Sequence, residues 1–159
     1  GGPRHLALDP QEKYAYVLSE LESLITTFNY DSTTGKLSGA RTINSYKTEA
    51  EAGSSAHIVV HPNGKWLYAS NRKENSLGLF AIDAQGQPQV QADDFVTDMI
   101  ATPRDFSVDP TGTLLILANQ NGAQNVLVYR IDQNNGKLTR SQVFPLGGSP
   151  TFVQALLLP

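Results

Sequence analysis

Several charged side chains of this sequence recur at matching places. Glu20, Arg72 and Gln120 directly follow Ser19, Asn71 and Asn119, while Arg4 and Arg104 each follow a proline at the head of an apolar run. Guanidinium groups bind phosphate or carboxylate bidentately, and they can stabilise an oxyanion formed when a carbonyl is attacked. A carboxylate among them is a candidate general base toward water, kept ionised by the arginines but made less basic by them. Several arginines around one glutamate therefore suit an anionic substrate. His5 and His57 align with Asp105 just ahead of the apolar runs, where they could line the same opening. Two histidines are too few ligands for a metal site, and none is assigned. The structural alternatives are that Arg4 and Arg104 tie neighbouring modules through backbone carbonyls, and that Glu20 and Arg72 are solvated strand ends.

These residues correspond because the chain repeats itself. PRHLALDPQEKYAYVLSE from Pro3, SAHIVVHPNGKWLYASNR from Ser55 and PRDFSVDPTGTLLILANQ from Pro103 align without a gap. The anchors Asp9-Pro10, His61-Pro62 and Asp109-Pro110 are about 50 residues apart, a period that points to the blades of a β-propeller. Turn residues divide each repeat into four strands, read in the second as HIVVH, WLYASN, SLGLFAID and a polar strand near PQVQADDF. Second strands such as YAYVLS and LLILAN are nearly continuous in apolar character, as strands covered on both faces must be. Fourth strands are polar and belong on the outer rim. The expected architecture is all-β, with blades at residues 3–54, 55–102 and 103–148 and a further first strand at 149–159. No window has helical spacing. The stretch Asn44 to Ser55 is expected to be a loop at a blade boundary, and the first turn, with Glu12 where Gly64 and Gly112 stand in the others, to differ in geometry. His61 reads as a turn residue, Asn71 and Asn119 as amides that satisfy loop backbone, and Trp66 as blade packing.

Composition narrows the partners. A net charge of −3 with 17% charged residues argues against nucleic acid and against an anionic membrane surface. The absence of cysteine excludes disulfides and thiolate zinc sites. No apolar run approaches the roughly 20 residues of a membrane span. Nucleophile elbows, HExxH and phosphate-cradling glycine loops are absent. Three blades cannot close a ring that typically needs about 4 to 8, and the chain begins Gly1-Gly2 rather than with Met. It is therefore expected to be the carboxy-terminal part of a longer protein, with the remaining blades, or another chain, completing the ring.

GPRHLALDP, YAYVLSE, HPNGKWLYASNR and PRDFSVDPTGTLLILANQ resemble the carboxy-terminal half of the lactonase family of seven-bladed propellers. That family includes a bacterial type of 6-phosphogluconolactonase and 3-carboxy-cis,cis-muconate lactonizing enzymes. The resemblance implies a channel-mouth site built from the arginine of GPRH, the glutamate ending the next strand and the arginine of SNR, here Arg4, Glu20 and Arg72. It also implies a histidine from an upstream blade, which has no counterpart here, so the chain alone is expected to be inactive. Arg104, His5 and His57 are the expected substrate-binding residues. The implied activity is hydrolysis of a sugar-phosphate lactone in the cytoplasm, without metal or organic cofactor. A carboxymuconate-type cyclase is the alternative enzyme, and a non-catalytic binding scaffold the alternative outside enzymology. An enzyme requires Arg4, Glu20 and Arg72 to converge; a scaffold does not.

Overall fold

A computed structural model describes residues 1–123 and 125–157, apart from the side chains of residues 91–94. The first sheet comprises β1 (Pro3–Leu8), β2 (Tyr14–Ser19), β3 (Leu24–Asp31) and β4 (Lys36–Asn44). The second comprises β5 (Ser55–Val60), β6 (Trp66–Asn71), β7 (Ser76–Ile82) and β8 (Pro88–Val96), and the third β9 (Pro103–Val108), β10 (Leu114–Asn119), β11 (Val126–Ile131) and β12 (Leu138–Phe144). Each sheet is an antiparallel meander in chain order. β1 lies beside β5, and β5 beside β9, so the first strands gather on one axis and the sheets fan outward as propeller blades.

The apolar core lies between the blades. Tyr16, Leu18 and Ile25 of the first meet Ile58, Leu67 and Phe80 of the second. Trp66, Tyr68, Leu77 and Leu79 of the second then meet Phe106, Leu115, Leu117 and Tyr129 of the third. This explains the continuous apolar character of the second strands, since every residue of β6 is buried, whereas β4 is exposed over most of its length. A recurrent polar fastener adds direction. The Tyr16 hydroxyl donates to the Gly86 carbonyl of the next blade (3.0 Å), and the Tyr68 hydroxyl does the same to Gly136 (2.7 Å). Both glycines have positive φ, and a Cβ at Gly136 would lie 2.7 Å from the Trp66 ring. The turn thus has to be glycine to press onto the neighbouring blade.

The structure departs from the sequence expectations at three places. Glu12 has φ 54°, beside 73° at Gly64 and 72° at Gly112, and its N–H bonds the Asp9 carbonyl as theirs bond His61 and Asp109. The turn geometry is therefore the same in all three blades. Asp9 imposes it, because its carboxylate accepts from the backbone N–H groups of Gln11, Lys13 and Tyr14 (3.2, 2.6 and 2.6 Å). The boundary loop also contains one 3-10 turn, Glu49–Glu51.

The segment 149–157, expected as a further first strand, carries no strand ladder. It runs beside β9, where Val153 N–H donates to Asp105 Oδ2 (2.9 Å) and Ala155 N–H to Ser107 Oγ (3.1 Å). A first strand pairs with the second strand of its own blade, and none follows in this sequence. Residues 158 and 159 lie outside the described residues. His61, Asn71, Asn119 and Trp66 take the structural places expected of them: His61 accepts from Asn63 N–H within its turn, the two asparagines bond loop backbone, and Trp66 is core.

Candidate active site at the ends of the first and second strands

The site residues sit where β1, β5 and β9 begin and β2, β6 and β10 end. A regular strand would send Arg4 and His5 to opposite faces. The pairing of β1 with β2 jumps here, from Pro3 opposite Ser19 to His5 opposite Leu18, so Arg4 is the extra residue of a β-bulge. β9 repeats the jump, with Pro103 opposite Asn119 and Asp105 opposite Ala118, which makes Arg104 the extra residue there. Bulges re-aim side chains. This one turns each arginine toward the residue that follows the second strand, Glu20 in the first blade and Gln120 in the third.

Glu20 lies between two guanidinium groups. Arg72 Nη2 donates to Oε1, and Arg4 Nε lies 3.7 Å from Oε2. The Arg72 hydrogen bond, with the charges of Arg72 and Arg4 behind it, holds the Glu20 carboxyl below the usual glutamate range. Arg72 is held in turn by the Ser54 carbonyl, which accepts from its Nε (3.1 Å). Below it, Asn71 is fully buried in a polar cluster: its Oδ1 accepts from Ser45 (3.0 Å) and Ser55 (2.6 Å), and its amide donates to the Ser45 carbonyl (2.6 Å). These bonds fix the strand end from which Arg72 projects.

Arg4 also donates to the Ala56 carbonyl of the second blade, so the blade-tying role and the site position belong to one side chain. Its Nη1 lies 3.1 Å from His5 Nε2. His5 Nδ1 and His57 Nδ1 are 2.5 Å apart, a separation that requires one nitrogen to carry the proton and the other to accept it. His57 Nδ1 is also 3.3 Å from Asp105 Oδ1. Burial pushes the His57 imidazole down to about 4; Asp105 opposes this, while His5 and Arg4 add to it. His5 is lowered by burial first and by Arg4 second. Both imidazoles are therefore neutral near pH 7. Among the described residues, no group of three or more His, Cys, Asp or Glu is arranged to hold a metal ion.

Of the residues singled out from the sequence, Arg4, Glu20, Arg72, His5 and His57 form one continuous chain of contacts across two blades. Arg104 stands apart from their direct contacts and bonds Gln120 Oε1 (3.0 Å), yet its charge is felt at both Arg4 and Glu20. Asp105 was not singled out. Its signal was present, because three polar titratable residues in one column of the innermost strand must meet at the axis.

The sequence pattern of the family described as Lactonase, 7-bladed beta-propeller matches residues 1–155. A 6-phosphogluconolactonase of Pectobacterium carotovorum is 33% identical over 158 residues, covering 99% of this chain and 47% of that protein. Among solved structures, one from Bacteroides uniformis, provisionally named a 6-phosphogluconolactonase, has a TM-score of 0.83 at 32% identity over 95% of this chain and 42% of its own. The periplasmic gluconolactonase of Pseudomonas aeruginosa has a TM-score of 0.81 at 27% identity, covering 94% and 41%. The chain spans about half the length of the curated relatives it matches. Repeat, fold and sequence pattern agree: the chain belongs to the lactonase family of seven-bladed β-propellers.

Proposed function

We propose that the protein carrying this chain hydrolyses the lactone of a phosphorylated sugar acid. The observation that carries the proposal is Glu20 clasped by Arg72 and Arg4, one ionised carboxylate and two guanidinium groups converging from two blades. The arginines bind the lactone carbonyl, and Glu20 takes a proton from water as its oxygen attacks the carbonyl carbon. The tetrahedral oxyanion is stabilised by the same guanidinium groups; the ring C–O bond then breaks and the departing alkoxide takes up a proton. When substrate oxygens draw Arg4 and Arg72 away from Glu20, the hydrogen bond that depresses its basicity weakens, so the base strengthens as the site fills. His5 and His57, neutral and adjacent to Arg4, line the opening on its inner side and bind substrate hydroxyls.

The convergence of Arg4, Glu20 and Arg72 favours an enzyme over a scaffold, for which these residues need not meet. Relatives named for 6-phosphogluconolactone support the substrate class. Charged sugar phosphates do not cross bilayers, which fits action in the cytoplasm, although one similar structure is named as periplasmic. No helix among the described residues is long and apolar enough to cross a membrane. We further propose that the flank of β1, where Leu6 and Leu8 are 53% and 39% exposed, is covered by a neighbouring blade of the complete ring.

The test is hydrolysis of 6-phosphogluconolactone by the full-length protein and its Glu20→Gln variant. The variant keeps the shape and should lose about 10²- to 10⁴-fold in kcat. Hydrolysis at the wild-type rate removes Glu20 from the mechanism.

A further inference from the structure

The first and third blades carry the same device with one chemical difference. In each, a β-bulge aims the second residue of the first strand at the residue following the second strand. In the first blade the partners are Arg4 and Glu20, an ion pair. In the third they are Arg104 and Gln120, a hydrogen bond from Nη1 to a neutral amide oxygen at 3.0 Å. An amide oxygen orients a guanidinium as a carboxylate oxygen does, but leaves its charge uncancelled. Arg72 and Arg4 share the charge of Glu20, whereas Arg104 has no carboxylate partner among the described residues. Its acidic neighbour in sequence, Asp105, forms no ion pair with it among the described residues; Asp105 Oδ1 lies 3.3 Å from His57 Nδ1 and its Oδ2 accepts from the Val153 N–H.

We propose that Arg104, oriented by Gln120, binds the phosphate of the substrate and sets the preference for a phosphorylated over an unphosphorylated lactone. The inference rests on the lactonase reading and assigns the two ends of the substrate: the lactone ring at Glu20, Arg4 and Arg72, the phosphate two blades along at Arg104. A phosphate dianion offers several acceptor oxygens to a planar guanidinium fork and needs a cation that is not already neutralised. Arg104 meets both requirements. The phosphate is unchanged by the reaction, so loss of its contact falls on KM where it binds equally in ground and transition states and on kcat where its binding positions the reacting carbonyl; kcat/KM registers either loss.

The experiment measures kcat and KM of the full-length protein for 6-phosphogluconolactone and for unphosphorylated glucono-lactone in wild type, Arg104→Gln and Gln120→Glu. Arg104→Gln removes the cation. Gln120→Glu keeps Arg104 but gives it a carboxylate, converting the third-blade pair into a copy of the first. Both variants should lower the ratio of kcat/KM for the phosphorylated over the unphosphorylated lactone by about 10- to 100-fold. A ratio unchanged in Arg104→Gln, or equal losses on both lactones, overturns the assignment of the phosphate to Arg104 while leaving the lactonase reading standing. A loss in Arg104→Gln without one in Gln120→Glu overturns the role given to the uncancelled charge. Wild-type protein that hydrolyses neither lactone ends the lactonase reading and this inference with it.

Discussion

The paired histidines give the fold an acid-sensitive seam whose size can be worked out. His57 is three-quarters buried, with His5 Nδ1 at 2.5 Å, Asp105 Oδ1 at 3.3 Å and the Phe106 ring edge-on at 5.1 Å. Arg4 acts on it through its charge. Its ionisation is pushed from the ordinary 6.5 to about 4. The unfolded chain takes up the proton near 6.5 and the folded protein does not, so stability is complete above that pH and is lost as the pH falls toward 4. At about 1.4 kcal/mol per unit, the loss from this one group is about 2 kcal/mol at pH 5 and about 3 kcal/mol at pH 4. Urea unfolding of the full-length protein at pH 7.5 and pH 5, in wild type and His57→Gln, reads it: groups away from His5 and Asp105 titrate alike in both, so wild type should lose about 2 kcal/mol more than the variant. In parallel, the imidazole resonance missing from His57→Gln should titrate near 4. Identical pH dependence in the two proteins, or a midpoint at 6 or above, refutes the argument that burial outweighs Asp105.

Two other substitutions test the frame that carries the site. Glu12→Gly should stabilise the protein by up to about 1 kcal/mol in thermal or urea unfolding, because the relief of a left-handed backbone outweighs the extra chain entropy that glycine loses on folding. No gain would mean that the Asp9 hydrogen bonds remove the strain. Tyr68→Phe deletes the bond to the Gly136 carbonyl and should cost about 1 kcal/mol or more, since it leaves a buried acceptor unpaired. A neutral result would show that water replaces the hydroxyl.

The gapless repeats made the blades legible, because a strand set that must bury both faces writes its second strand as an apolar run and its fourth as a polar one. The same alignment brought Glu20 opposite Arg72 and placed both arginines of the bulges in one column. The bulges themselves were invisible. An extra residue shows in a sequence only against a copy that lacks it, and the jump falls at the corresponding place in all three blades. The contact of His57 with Asp105 is hidden in the alignment, because one column marks residues as equivalents, whereas on the innermost strands such equivalents are also neighbours at the axis. Glu12 misled for a different reason: residue type argued for a different turn, but four backbone groups bonded to Asp9 and its carbonyl outweigh one unfavourable φ.

The tyrosine fasteners have a consequence for how such modules can be rearranged. The hydroxyl is always offered by the earlier sheet and received by the later one, so neighbours are matched as plug and socket. At the corresponding position of the third sheet stands Ile116, which has no hydroxyl to offer. Swapping the second and third modules would set an aliphatic side chain against a glycine carbonyl waiting for a donor. Similar as their sequences look, the modules therefore carry their order with them.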